Sequence, residues 1–300
     1  MIYNFTQEEK NKIIEHYGES FYEELLKSLR IYTEKWELDI IEFVNYYSVN
    51  CIFICNSKQF GEAVLKIGNP CKEVFTEISV LKEYGGKHYC KLFDSDAENG
   101  IILEEYIKPG TRLREAQDLK KRTTSFSKIF NKLHIEPHES GIYPTYCDWV
   151  SRITEYMSKR EDYKELYKLM LKAKDVCLEL SDEYQGKMLL HGDLHHDNIL
   201  LGDNNEYKII DPKGVVGDPI FDISRFILNE FYDYGYVTYN FYKEHVEAVV
   251  KLLEESIQVP ADTIKRCIFV EMTMVNCWNV ESGEEPEMHY VLYAEAMMNE

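Results

Sequence analysis

The sequence has no long hydrophobic run and few basic residues relative to acidic ones. No stretch approaches the roughly 18 apolar residues that a membrane helix needs, and the chain does not begin with a basic segment followed by an apolar one, so we expect neither membrane insertion nor secretion. Lysine and arginine total 34 against 53 acidic residues, a net charge of −19. This balance opposes nucleic-acid binding, because phosphates need cationic partners. It would attract a cationic substrate, although solubility alone is a simpler explanation for it.

Cysteine motifs and nucleophile motifs are also missing. The eight cysteines are dispersed and include no C-x-x-C pair, so we expect neither a disulfide framework nor a structural zinc site. We expect instead a cytoplasmic location with reduced thiols. No G-x-S-x-G elbow is present, which disfavours a serine hydrolase of that type. A chain of 300 residues with 45% hydrophobic and 29% charged residues is long enough to form two lobes.

The pattern of elements predicts an α+β lobe followed by a mostly helical one. Thr6 and Glu9 fit a capping box, which begins a helix expected to continue to about Leu29. Five short β-rich runs follow, with one helix over 71–84 between the third and the fourth; we place the strands at 40–45, 51–55, 63–67, 91–94 and 101–105. Beyond residue 110 the apolar periodicity becomes helical. We therefore expect a small N-lobe over residues 1–105 and a helical C-lobe over residues 106–300.

The polar segment 188–222 carries the residue types that phosphoryl transfer needs. That reaction needs a carboxylate facing the attacking hydroxyl and oxygen ligands for the magnesium that bridges the phosphates. A loop supplies Asp193 and, five residues later, Asn198, and an apolar strand then delivers Asp211. One carboxylate base with an amide and a second carboxylate for the metal is the arrangement of protein kinases.

These motifs resemble those of a known family. HGDL at 191–194, Asn198 and IID at 209–211 are similar to the catalytic and metal loops of the aminoglycoside phosphotransferase family, which has a bilobal protein-kinase-like fold. The string IDPKG at 210–214, with GDP at 217–219 and FD at 221–222, is similar to the streptomycin and hydroxyurea phosphotransferase branch. The order of elements agrees from about residue 40 to residue 230.

The resemblance implies a role for each matching position. Asp193 would be the catalytic base, and Asn198 and Asp211 would bind Mg²⁺. Asp222 would brace the catalytic loop through its backbone, and His191 would support the same loop. ATP would be the phosphate donor, bound between the two lobes.

The N-lobe contains further expected nucleotide contacts. Lys66 near the end of the third strand matches the lysine that holds the α- and β-phosphates, and Glu77 in the following helix would orient it, with Glu73 as a competitor. No glycine occurs between Gly18 and Gly61, so a turn over residues 45–50 would cover the phosphates, with Ser48, Asn50 or backbone amides making the contacts. The segment 103–107, which includes Glu104 and Tyr106, would be the hinge that presents its backbone to adenine.

The acceptor is expected to be a small, cationic molecule. An aminoglycoside fits the acidic balance, because protonated amines need carboxylates. The candidate acids in the C-terminal third are Glu230, Asp233, Glu271, Glu281, Glu284 and Glu285, and of these we select Glu230, Glu271 and Glu281. Hydroxyurea, macrolide, choline and sugar kinases are alternatives of the same fold. Two other classes stay open: a non-catalytic nucleotide-binding pseudokinase, and a metal-dependent hydrolase built from His191, His195 and His196 with the neighbouring aspartates.

Overall fold

The computed structural model describes residues 3–44, 50–231 and 234–300. Its contacts divide the chain into two compact units. The first unit comprises Met1–Gly110 with Gly202–Asn204, and the second comprises Thr111–Leu201 with Asn205–Glu300. No helix within the described ranges combines the length and the apolar character needed to cross a membrane.

The first unit contains a five-stranded antiparallel sheet in the order β1-β2-β3-β5-β4. The strands are β1 Leu38–Val44, β2 Asn50–Ser57, β3 Gly61–Gly68, β4 Leu92–Asp96 and β5 Ile101–Glu105. In β2 the side chains of Cys51, Phe53 and Cys55 are buried, because alternate residues of a strand point to the same face. All five predicted strands are present within about two residues at their ends; Asn45, the last residue predicted for β1, lies outside the described residues.

Three helices complete the first unit: α1 Gln7–Tyr17, α2 Glu19–Lys35 and α3 Lys72–Tyr84. The predicted capping box is confirmed, since Thr6 Oγ1 accepts from the Glu9 amide and Glu9 accepts from the Thr6 amide. The prediction of one helix to Leu29 was wrong. The chain turns at Gly18, whose φ of +91° ends α1, and α2 then continues to Lys35 and packs a buried face on the sheet.

The second unit is mostly helical, as predicted. Its helices are α4 Leu119–Leu133, α5 Tyr146–Ser158, α6 Lys164–Glu183, α7 Ser224–Asn229, α8 Tyr239–Ile257, α9 Ala261–Glu281 and α10 Met288–Met298. Helix α9 is central: it contacts α5, α6, α7, α8 and α10, and most of its residues are buried. Such all-round burial is expected of a helix surrounded by others.

Short strands of the second unit flank the polar segment. They are β6 Thr111–Arg112, β7 Met188–Leu190, β8 Ile199–Leu201, β9 Tyr207–Ile209 and β10 Val215–Gly217, in the orders β6-β8-β9 and β10-β7. Residues 191–198 therefore run from the end of β7 to the start of β8. Residues 210–214 run from the end of β9 to the start of β10, so both connections are fixed at each end by strand pairing.

Candidate active site

A sharp turn after β7 presents Asp193. Gly192 has a φ of +80°, which side chains other than glycine rarely tolerate. A Cβ at this position would also lie 2.6 Å from the ring of Trp149. Conformation and space therefore both require glycine immediately before Asp193, which fixes the direction in which the loop leaves the strand.

Asp222 braces this turn through its backbone. Its two carboxylate oxygens accept the N–H groups of His191 and Gly192, each at 2.8 Å, and His134 Nε2 lies 3.0 Å from Oδ2. Burial opposes ionisation of this fully buried acid, but the hydrogen bond and charge of His134 outweigh it and lower the pKa of Asp222. The carboxylate therefore stays charged and holds the loop with two strong hydrogen bonds.

His191 connects the catalytic loop to the segment before Asp211. Its Nδ1 accepts the Asp193 amide at 3.0 Å, and its Nε2 lies 2.9 Å from the carbonyl oxygen of Ile210. The first nitrogen must accept and the second must donate, which is the pattern of a neutral imidazole. Burial lowers the pKa of His191 and so favours that neutral form.

Asn198 and Asp211 lie side by side at the ends of paired strands. Ile199 on β8 pairs with Ile209 on β9, and the Ile210 amide donates to the Asn198 carbonyl at 3.0 Å. The Asn198 side-chain nitrogen donates to the Asp193 carbonyl at 3.0 Å, so the amide oxygen is the atom that suits a cation. Asp211 has a φ of +57°, a conformation that aspartate tolerates better than most residues. An amide oxygen and a carboxylate are the hard ligands that Mg²⁺ takes.

The Asp193 side chain lies among positive and polar groups. Arg225 Nε is 3.4 Å and His195 Nε2 is 3.7 Å from Oδ1. Burial would raise the pKa of Asp193, but the charge of Arg225, followed by that of His195, lowers it overall. Asp193 is therefore an ionised carboxylate that can accept a hydrogen bond from a hydroxyl.

Asp193 opens onto a cavity of about 540 Å³ in the second unit. Apolar, aromatic and amide side chains dominate its lining, and the charged members are Asp193, Asp197, Arg225 and Glu287. A cavity of this volume is typical of small-molecule sites, and its lining combines polar and charged groups with aromatic and aliphatic ones. The remaining lining residues are His195, Leu228, Asn229, Phe231, Tyr234, Met272, Val275, Asn276, Asn279 and Tyr290.

The three carboxylates predicted to contact the substrate do not line this cavity. Glu230 is buried and accepts from Arg122, His196 and His245. Glu271 is buried beside Arg225. Glu281 forms a two-pronged ion pair with Arg152 at 2.6 and 2.9 Å.

In the first unit Lys66 is buried between two carboxylates. Its Nζ lies 2.8 Å from Glu77 on α3 and 2.9 Å from Glu104 on β5, so the predicted pair with Glu77 is present. The prediction gave only the backbone of Glu104 a role, at the adenine hinge, and the structure shows that its carboxylate is the second partner of the lysine. Tyr106 lies just beyond β5 with Lys108 Nζ 5.5 Å from its ring centroid. Ser48 lies outside the described residues.

The family model for aminoglycoside/hydroxyurea antibiotic resistance kinases matches residues 48–283. The chain belongs to this kinase family. It is therefore a phosphotransferase that acts on a hydroxyl group of a small molecule and uses a nucleotide donor, and the predicted family and activity class are confirmed.

Curated relatives and solved structures agree with this family. The kinase is 26% identical to streptomycin 6-kinase of Streptomyces griseus, over 74% of this chain and 72% of the relative. It is also 26% identical to hydroxyurea phosphotransferase of Kitasatospora aureofaciens, over 89% and 76%. Among structures, choline kinase LicA of Streptococcus pneumoniae superposes with a TM-score of 0.64 at 17% identity, covering 90% of this chain and 98% of LicA. Aminoglycoside phosphotransferase APH(4)-Ia superposes with a TM-score of 0.57 at 11% identity, covering 90% of this chain and 96% of that protein. The predicted kinase-like α+β fold is confirmed.

The alternative of a histidine metal site has no geometric support within the described residues. His191 and His196 use their rings on the Ile210 carbonyl and on Glu230, and His195 Nδ1 accepts the Asp197 amide. No group of three His, Cys, Asp or Glu side chains in the described part of the chain is arranged to hold a metal ion. The rings of His191, His195 and His196 are therefore engaged in contacts within or beside the loop.

Two features near Asp193 have no counterpart in the sequence-based prediction. Arg225 lies three residues after the brace Asp222, and Glu287 lies at the start of α10. The motif FD at 221–222 was recognised, and the arginine three residues after Asp222, in the first turn of α7, was the available signal. Glu287 is one of several acids between α9 and α10, and the sequence does not distinguish it from Glu284 and Glu285.

Proposed function

We propose that this kinase transfers the terminal phosphate of ATP to a hydroxyl of an aminoglycoside-type antibiotic or of a related small hydroxylated compound. The name of the relative streptomycin 6-kinase supports an acceptor of this type. The observation that carries the proposal is the ionised carboxylate of Asp193 at the wall of a 540 Å³ cavity, next to a braced loop. In-line transfer needs such a carboxylate within hydrogen-bonding reach of the acceptor hydroxyl.

Each group has a proposed part in the reaction. Asp193 accepts or orients the hydroxyl proton, and Asp222 and His191 keep its loop in position. Asn198 and Asp211 hold Mg²⁺, which supplies charge neutralisation at the phosphates when bound. Lys213, two residues after Asp211, is a further candidate to neutralise the transferred phosphate.

The first unit is proposed to bind the nucleotide. Lys66 contacts the α- and β-phosphates, and Glu77 and Glu104 hold its ammonium group in place. The backbone of segment 103–107, which includes Tyr106, receives the adenine. Ser48 stays a candidate for the phosphate-covering turn.

The charges of the cavity lining favour an acceptor with one localised cationic group. Asp197 already faces Arg114 at 2.7 Å, and Asp193 faces Arg225. Glu287 has no cationic side chain within ion-pair distance in the described parts of the chain. It therefore replaces Glu230, Glu271 and Glu281 as the acidic residue proposed to contact the acceptor.

A second candidate acceptor is a compact amino alcohol. Phe231, Tyr234 and Tyr290 line the same cavity as Glu287, and aromatic faces with a nearby carboxylate attract small organic cations. Choline is one such compound, with a small cationic group and a single hydroxyl.

An acceptor panel tests these proposals. ADP release with Mg-ATP would be measured for streptomycin, a second aminoglycoside, hydroxyurea and choline, and each product would be weighed by mass spectrometry. Absence of phosphate transfer to every aminoglycoside would exclude that substrate class while leaving the kinase assignment intact.

Glu287→Gln should raise the KM of a cationic acceptor about 2–5-fold, the range of an exposed ion pair, and added salt should also raise this KM. Glu284→Gln, in the same connection between helices, is the matched control. It should leave the KM of the cationic acceptor and the effect of salt on that KM as they are in the wild type.

A further inference from the structure

A line of three side chains runs from the helical core to Asp193. Tyr146 on α5 donates its hydroxyl proton to Glu271 Oε2 on α9. Glu271 Oε1 lies 2.6 Å from Arg225 Nε on α7, and the same Nε lies 3.4 Å from Asp193 Oδ1. Three helices thus converge on one carboxylate of the catalytic loop.

The backbone of Asp193 is fixed, but its carboxylate is not held by hydrogen bonds at Oδ1. The amide donates to His191 and the carbonyl accepts from Asn198. Oδ1 is buried and, like Arg225 Nε and Glu271 Oε1, has no hydrogen-bond partner within the described part of the chain, so these three atoms interact through charge and close contact. Its two nearest basic groups are Arg225, whose Nε lies at 3.4 Å, and His195, whose Nε2 lies at 3.7 Å. Arg225 is therefore the basic group in closest contact with this oxygen.

Arg225 is itself held on two sides. Glu271, with a side chain only 2% exposed, contacts its Nε, and the ring of Trp278 lies 5.5 Å from its guanidinium carbon. Arginine otherwise has many rotamers, so these two contacts select one. A buried ion pair usually adds little stability compared with apolar residues of the same size, which makes a purely structural reason for Arg225 and Glu271 a weak explanation.

We propose that Arg225 is a positioning residue: held by Glu271 and Tyr146, it holds one oxygen of Asp193 and leaves the other for the acceptor hydroxyl. This inference rests on the proposed role of Asp193 as the base. It gives Glu271 an indirect role, two contacts away from the acceptor. It also assigns Tyr146 a function, because the tyrosine hydroxyl fixes the second oxygen of Glu271.

A double-mutant cycle with Asp193 tests the proposal. Arg225→Ala should lower kcat for streptomycin about 10–100-fold with the KM of Mg-ATP unchanged, because small displacements of a reacting group cost up to about 100-fold. In the Asp193→Asn background the same substitution should have no further effect, because residues that act as a unit are non-additive. An equal loss in both backgrounds would overturn the proposal.

Three further variants separate positioning from folding. Arg225→Lys keeps the charge and should recover part of the lost kcat. If Arg225→Ala fails to fold, the double variant Arg225→Met/Glu271→Gln takes its place, because it removes both charges and leaves no buried charge unpaired. It should show the same loss of kcat. Arg152→Ala removes an arginine from another arginine–glutamate pair of the same unit and should leave kcat unchanged.

Crystal structures of the wild type and of Arg225→Ala provide a readout that does not depend on the acceptor. The Asp193 carboxylate should change rotamer or become disordered, while the hydrogen bonds from Asp222 to the loop persist. An Asp193 side chain in an unchanged position would overturn the proposal. If streptomycin is not phosphorylated, the proposed acceptor fails, and these structures still decide the role of Arg225.

Discussion

Asp222→Asn is the substitution that most directly tests how the catalytic loop is held. The wild-type carboxylate accepts two loop amides at 2.8 Å and contacts His134. Asparagine keeps one acceptor oxygen and turns the other into a donor that faces an N–H group. Since a hydrogen bond to a charged group contributes about 1.5–3 kcal/mol, losing one and weakening the other should cost about 2–4 kcal/mol. That is less than the 5–15 kcal/mol stability typical of a folded protein, so the variant should fold.

Urea unfolding and turnover together provide the assay for this variant. We expect a lower urea midpoint with an unchanged slope, and turnover reduced by about 10–100-fold because the base moves with its loop. Asp218→Asn is the matched control: Asp218 accepts the amides of Gly186 and Ile220 and, within the described residues, forms no hydrogen bond with residues 191–198. It should lose stability but keep turnover. Normal turnover in Asp222→Asn would refute the bracing role.

The stability difference should also depend on pH. The pKa of Asp222 is lower in the folded protein than its ordinary value. Its contribution is therefore complete above the unfolded pKa of about 3.9 and is lost as pH falls through the lower folded pKa. The gap in stability between wild type and Asp222→Asn should be constant near neutral pH and should narrow below about pH 4.

Three further substitutions have definite expected outcomes. Asp193→Asn should retain nucleotide binding by calorimetry and lose about two to four orders of magnitude in turnover; near-normal turnover would exclude it as the base. Lys66→Met should lower turnover and also destabilise the fold by about 3–5 kcal/mol, because it removes the cation between two buried carboxylates. Glu77→Ala should reduce turnover less in the Lys66→Met background than in the wild type. Full additivity would argue against the pair. Below about pH 4.5 the stability of Glu230→Gln should fall less steeply with decreasing pH than that of the wild type, because the hydrogen bonds and charges of its partners outweigh burial and lower the pKa of Glu230. The same acid unfolding curve in both proteins would contradict this.

Local patterns predicted most of the fold. Alternating residues predicted the five strands, and the helical apolar periodicity beyond residue 110 predicted the helices of the second unit, among them α6 with its buried face. These signals are local, because neighbours in sequence decide them. The break at Gly18 was missed, since apolar periodicity continues on both sides of the glycine, and only its backbone conformation reveals the turn.

Contacts between distant residues explain what the sequence did not predict in the site. Spacing and the family resemblance predicted Asp193, Asn198 and Asp211 as one site, and strand pairing brings their segments together. The proposed role of Glu271 depends on Tyr146, 125 residues earlier in the chain. An acidic residue looks the same in sequence whether it faces a cavity or a buried arginine.

The left-handed conformation of Asp211 restricts how this position can change during evolution. Asparagine and glycine are the substitutions that tolerate its φ of +57° at low cost, and neither supplies a carboxylate. Most other residues would lose the proposed metal ligand and strain the backbone together. A descendant of this kinase that keeps its fold but abandons catalysis is therefore expected to carry asparagine or glycine at position 211, which makes that position a marker for inactive relatives.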